Sequence, residues 1–215
     1  MKPDPCAPVS TAVHQPASPP RARTGSQWTS PLFAGGYSFQ TPPPQVTQDG
    51  IQAYPDSGAK LLNARAAFLY LATGITPAMC MNLPRIGSQY IGATVGANRA
   101  PLEGARTYTL TLRPGIPAET FWSLTVYDNQ TRSMLVTGQR YPRAGSQAYP
   151  TPAAQASPDG STTLWLSPRQ PGSVPRGNWI QTTPGRNWFT ILRLYSPLPA
   201  FFDRSWQPTE IQPAG

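Results

Sequence analysis

A mainly β protein, an antiparallel β-sandwich of jelly-roll type with one packed helix, is the fold this sequence predicts. Three observations carry that expectation. Proline makes up 28 of the 215 residues, and a chain so rich in a helix-breaking residue is neither a helical bundle nor a coiled coil. From Gly87 onward apolar residues recur with a period of two, which marks half-buried strands. Between those runs stand turn-forming strings: Arg113-Pro114-Gly115, Ser157-Pro158-Asp159-Gly160 and Thr183-Pro184-Gly185. Short strands punctuated in this way read as a sandwich or jelly roll.

Residues 1–26 have no periodicity and few large apolar side chains, too little to offset the entropy of ordering, so they are expected to form a disordered tail. The module is expected to occupy 27–215. Trp28, Leu32, Phe33, Tyr37 and Phe39 anchor its first stretch to the core as irregular chain, and Thr41-Pro42-Pro43-Pro44 forces an extended loop. A helix is predicted over 58–73. Ser57 caps it, Leu61, Leu62, Arg65, Phe68, Leu69 and Ala72 form its buried stripe, and Gly74 and Pro77 end it. Arg65, within that stripe, reads as a snorkelling or salt-bridged arginine or as a cation facing a cleft.

The strands follow. Ser88–Val95 is the first. Thr107–Leu112 alternates hydroxyl and apolar residues, giving one wet face. Phe121–Tyr127 is large on both faces and is therefore central. Ser133–Thr137 follows a short turn through Asn129; Thr162–Leu166, Trp179–Thr182 and Trp188–Tyr195 complete the set. Pro199–Arg204 makes a short helical turn before an extended tail.

Charged residues are 12% of the chain, against a typical ~25%. Seventeen basic residues stand against nine acidic ones, for a net charge of +8. The arginines are scattered, without a basic run or helix stripe, which argues against nucleic-acid binding and leaves solubility and weak attraction to anionic surfaces. No apolar run approaches the ~20 residues of a membrane-spanning helix, and no apolar leader segment is visible between Met1 and Pro20. Cys6 and Cys80 are too few for a zinc site, and His14 is the one histidine. Outside the tail the chain therefore offers no Ser-His-Asp triad, Cys-His pair or histidine metal site. No cofactor and no metal are expected. Met79, Cys80 and Met81 read as a core-lining loop or, at the extreme, a soft-metal site.

Five residues stand out as a candidate ligand-binding set: Tyr127, Asp128, Arg132, Arg193 and Tyr195. Asp128 ends the central strand and Arg132 follows across a turn. One reading is a turn-closing carboxylate with a surface ion pair; the other is a polar-ligand site at the mouth of the sandwich, where arginine offers a bidentate fork. Arg193 alternates with Phe189 and Ile191 on a strand that also bears Trp188, Leu192 and Leu194. An arginine in such company must be paired, stacked or at an open end, with Asp128 or Asp203 as the carboxylate available to it. A carboxylate-pair hydrolase would draw on Asp56, Glu103, Glu119, Asp128, Asp159 and Asp203, but Glu103, Glu119 and Asp159 lie in evident turns. The tryptophans and tyrosines read as core or edge packing, or as a sugar-stacking platform.

Longer strings carry a resemblance. Residues 121–135 (FWSLTVYDNQTRSML), 178–185 (NWIQTTPG), 188–195 (WFTILRLY), 72–79 (ATGITPAM) and 86–90 (IGSQY) resemble the signature of the domain of unknown function 1214. Phe202-Asp203 and Trp206-Gln207-Pro208 extend it, so the similarity runs from about Gln27 to about Ile211. The resemblance implies a jelly-roll sandwich, an upstream partner module (domain of unknown function 1254) and a secretion signal. It therefore implies a bacterial periplasmic or envelope location, with the cytoplasm as the alternative for a chain without a visible signal. A half-length form, a fragment or a mis-started gene is the corresponding expectation for this chain. Two functions follow: a structural or small polar or anionic ligand-binding module, or a hydrolase whose carboxylate and arginine site is completed by the upstream module.

Overall fold

The computed structural model describes residues 26–30, 46–51, 62–71, 74 and 83–214. The expected tail, except for Ser26, lies outside the described residues, as do His14, both cysteines and the loop of Met79 to Met81.

The described chain is dominated by two sheets. The strands are β1 (Val46–Thr47), β2 (Gly50–Ile51), β3 (Ser88–Ala93), β4 (Leu102–Glu103), β5 (Tyr108–Leu112), β6 (Ala118–Asp128), β7 (Arg143–Gly145), β8 (Thr162–Ser167), β9 (Trp179–Gln181), β10 (Asn187–Pro197) and β11 (Gln212–Pro213); the helices are α1 (Leu62–Leu71) and α2 (Pro199–Phe202). The larger sheet has the order β3-β10-β6-β7, with β4 also on β10; the smaller has β11-β5-β8-β9; β1 and β2 form a separate exposed hairpin.

Period two explains how the sheets face each other. On β10, Trp188, Thr190, Leu192 and Leu194 are completely buried, and the residues between them are not. Register places Leu124 opposite Leu192 and Val126 opposite Thr190 on β6. All of these but the buried polar Thr190 join Tyr108, Leu110 and Leu112 of β5 and Leu164 and Leu166 of β8 in one core cluster. Two sheets packed around a shared core is the mainly β arrangement that the sequence predicts. As expected, β6 is interior, between β10 and β7.

Several expectations need correction. Ser133–Thr137 is not a strand: a single bridge joins Met134 to Tyr127. Leu135 N donates to Val126 O at 3.1 Å, and Val126's own amide donates to Pro142 O at 3.0 Å. The edge of β6 is thus divided between two short stretches, and only the second becomes β7. The smaller sheet is not wholly antiparallel, since β8 and β9 run parallel. On α1, Leu62 and Leu69 are 79% and 59% exposed and Arg65 is also exposed, so the proposed buried stripe does not hold at these positions. Trp28 is core as expected, its indole N–H donating to Thr209 O at 2.9 Å. No described helix is long and apolar enough to cross a membrane.

Candidate functional site

The outward face of the larger sheet is the odd-numbered side of β6 and β10. Register aligns Tyr195 with Phe121, Arg193 with Ser123 and Tyr90, and Phe189 with Tyr127. The rings fill the spaces between strands: Phe121 and Tyr195 stack with centroids 3.9 Å apart, and Tyr127 and Phe189 at 5.3 Å. They shield the small residues beneath, leaving Ser123 and Thr125 buried although they point away from the core.

Arg193 lies in the middle of this face. Its guanidinium carbon is 5.9 Å from the Tyr90 ring centre and 6.0 Å from that of Tyr127, at the outer limit of a cation–π contact. Nη2 donates to Tyr127 Oη at 2.5 Å. Nε is buried and has no hydrogen-bond partner. Among the described residues no carboxylate is within ion-pair distance of it. Burial pushes the Tyr127 phenol above its ordinary value, against the opposing pull of Arg193. A second cation, Arg143 on β7, shares the face because it aligns with Thr125. Burial lowers its pKa, and its Nη1 donates to Tyr149 O.

The structure thus brings Tyr127, Arg193 and Tyr195 onto one face. Asp128 and Arg132 lie elsewhere. Asp128 belongs to the opposite, core-facing side of β6, opposite Trp188. Its Oδ1 accepts the amides of Gln130 at 2.8 Å and Thr131 at 3.0 Å. The Thr131 and Gln130 amides, with Arg186 as a smaller contributor, hold the Asp128 carboxyl below its usual range. The cation beside Oδ2 is Arg186, at 3.7 Å. Arg132 is exposed, with φ of 61°, and its amide donates to the Asp128 carbonyl at 2.9 Å. Neither suggested acid neighbours Arg193: Asp128 closes its turn, and Asp203 Oδ1 accepts the Ser205 amide at 2.8 Å.

Sequence reasoning missed Arg186 and Arg143 as charged neighbours of these residues. Turn spacing pointed from Asp128 to Arg132, whereas Arg186 is brought in by the pairing of β10 with β6. Tyr90 was noted only as one aromatic among many; its role as a flank of Arg193 depends on β3 pairing with β10.

A separate cleft of about 370 Å³ opens at the other end of β6, lined by Ile116, Thr120, Phe121, Trp122, Ser146 and Thr162 among others. None of its described lining residues is ionisable. Of the other described carboxylates, Glu119, on β6 rather than in a turn, pairs with Arg85, Asp159 accepts from Ser161, and Glu210 accepts the Gln27 amide; Glu103, on β4 rather than in a turn, and Asp49 are exposed.

Comparison with known proteins adds a family and a fold. Residues 87–199 match the family model described as "Protein of unknown function (DUF1214)". No curated protein matches the chain. Among solved structures, the VPA0106 protein from Vibrio parahaemolyticus is similar at 22% identity and a TM-score of 0.54, over 70% of this chain and 34% of that one. An uncharacterised protein from Burkholderia cenocepacia is similar at 19% identity and a TM-score of 0.39, over 65% of this chain and 34% of that one. The chain therefore spans about a third of the length of these solved proteins.

Proposed function

The chain belongs to the DUF1214 family, and from that premise we propose that it is a non-catalytic binding module, holding a small carboxylate-bearing ligand on the outward face of its larger sheet. The observation that carries this reading is Arg193: a half-buried guanidinium with an unsatisfied Nε–H and no acidic partner among the described residues. A buried donor without a partner is costly. With the flanking, 37%-exposed Tyr90 swung aside, a carboxylate at the Nε edge would satisfy it and form the two parallel charge-assisted bonds that a guanidinium favours.

Tyr127 and Tyr90 serve the same end. The Tyr127 hydroxyl accepts Nη2 and fixes the fork, while the two rings flank the cation and reduce its contact with water. With its pKa raised, the phenol keeps its proton at neutral pH and has one to donate to a bound anion. Tyr195 bounds the site through its stack on Phe121. No described observation favours the hydrolase alternative: Asp128, Glu119, Asp159, Asp203 and Glu210 are engaged in turns and surface pairs. An envelope location, a jelly-roll connectivity and an upstream 1254-like partner module remain parts of this proposal; they rest on the family resemblance.

The test is a thermal-shift and calorimetric screen of small mono- and dicarboxylates against neutral polyols of similar size. Carboxylates are expected to raise the melting temperature of the parent chain, without turnover. Arg193→Leu is expected to abolish the response, and Arg193→Lys to restore little of it, since an ammonium lacks the fork. A parent chain that answers to polyols and not to carboxylates would overturn the reading.

A further inference from the structure

We propose that one end of the sandwich is a docking surface for an anionic lipid bilayer. Arginines scattered along the sequence are gathered there by the fold. Arg99, Arg106, Arg132, Arg169 and Arg186 lie on five loops, and all five are exposed. Backbone pairing ties these loops together. Gly104 N donates to Arg186 O at 2.8 Å, and Asn129 N to Asn187 O at 3.1 Å. Val95 bridges to Pro101 across the loop that carries Arg99. Thr182 links both ways, its amide to Ser167 O at 3.0 Å and its hydroxyl to Gly104 O at 2.8 Å; Gln181 Nε2 reaches Pro168 O beside Arg169.

Against five guanidinium groups these loops and their flanking strand ends carry two acids, Glu103 and Asp128. Asp128 is 7% exposed, bound to its own turn and 3.7 Å from Arg186, and Glu103 is exposed, so the positive charge an approaching surface meets comes chiefly from Arg99, Arg106, Arg132 and Arg169.

Two features select a bilayer over other polyanions. The loop that carries Arg132 continues into Met134 and Val136, which are 43% and 85% exposed. Thr183 Oγ1 holds the Val136 carbonyl at 2.7 Å, fastening this apolar pair beside the loop of Arg186. Apolar side chains within a basic rim suit an interface in which phosphates lie above hydrocarbon. Moreover, residues 96–101, 103–107, 129–133, 168–170 and 183–187 contain no aromatic side chain, so these arginine loops themselves offer no stacking platform of the kind on which single-stranded nucleic acid is held. Each arginine near an anionic surface adds a modest, salt-screened attraction, and several together make binding measurable.

The experiment is co-sedimentation of the full chain with phosphatidylcholine vesicles, with and without phosphatidylglycerol. Binding is expected only to the anionic vesicles and is expected to vanish at high salt. Arg99→Glu/Arg106→Glu/Arg169→Glu together should weaken partitioning on the order of a hundredfold, with the melting temperature used to confirm an intact fold. Val136→Asp should weaken it at unchanged basic charge. Arg193→Leu should bind vesicles like the parent, which separates this surface from the carboxylate site. Equal binding by the triple variant, no binding to anionic vesicles at low salt, or retention on DNA but not on vesicles would each overturn the proposal.

Discussion

Asp128 stabilises the protein through its charge, and the sign of the effect follows from what holds it. The amides of Thr131 and Gln130 bond the ionised carboxylate, so its folded pKa lies below its unfolded value of ~3.9. The stabilisation is complete above the unfolded value and is lost as pH falls through the folded one. Asp128→Asn should therefore melt below the parent at neutral pH, and the gap should narrow as the medium is acidified below about pH 4. A gap that stays constant down to strongly acid pH would show that the charge is irrelevant to the turn. Gly104 is constrained by space instead. A Cβ there would lie 2.0 Å from Thr183 O and 2.7 Å from Arg186 O, so Gly104→Ala must push apart two of the loops that gather the arginines. The expected cost is about 1–3 kcal/mol, read by chemical denaturation, with weaker vesicle binding if the arginine loops separate.

At the scale of elements, β6 and β10 carry the fold. Trp122 is 7% exposed, faces inward opposite Leu194, and also lines the neutral cleft. Trp122→Ala should cost about 3–5 kcal/mol, nearer the lower figure because the cleft already interrupts the packing around it. A loss under about 1 kcal/mol would mean that the core does not depend on this strand. By contrast Leu69→Ser on α1 should change stability by no more than about 0.5 kcal/mol, as for other exposed positions. The difference shows what the sequence made legible. β5 and β10 are half-buried along their length, so their alternation of buried and partly exposed residues is written in the residue types. Strands of two or three residues, such as β4, β7 and β11, are too short to display a period. The apolar residues of α1 have helical spacing, but spacing alone does not say what covers them. The candidate site was legible by half for a related reason. Arg193 betrayed itself by its apolar company, whereas the partner of Asp128 depended on strand pairing that local spacing does not encode.

At the scale of the whole molecule, the two sheets are closed along one side by segments from opposite ends of the described chain. Thr29 exchanges backbone bonds with Gly92 on β3 at 2.8 and 2.7 Å, while the Trp28 indole reaches Thr209 and the Gln27 amide reaches Glu210. Thr209 N and Ala214 N in turn donate to Thr111 and Thr107, along β5. The residues on each side of this clasp are some 180 positions apart in sequence. Loop-closure entropy grows only slowly with length, so the long separation adds little to the cost of forming the clasp. Trp28 is 4% exposed, and Trp28→Ala should cost about 3–5 kcal/mol. For a chain of this size that is a fall in melting temperature of roughly 10 °C, at about 2–4 °C per kcal/mol. Truncation provides the sharper experiment. Removing residues 1–25 takes away a segment whose composition builds no core, and the melting temperature should be unchanged. Removing residues 1–30 takes Trp28 and Thr29 as well, uncovers the edge of β3, and should destabilise at least as much as Trp28→Ala. If the shorter chain melts like the longer one, the clasp contributes nothing and the sandwich is held by its two sheets alone.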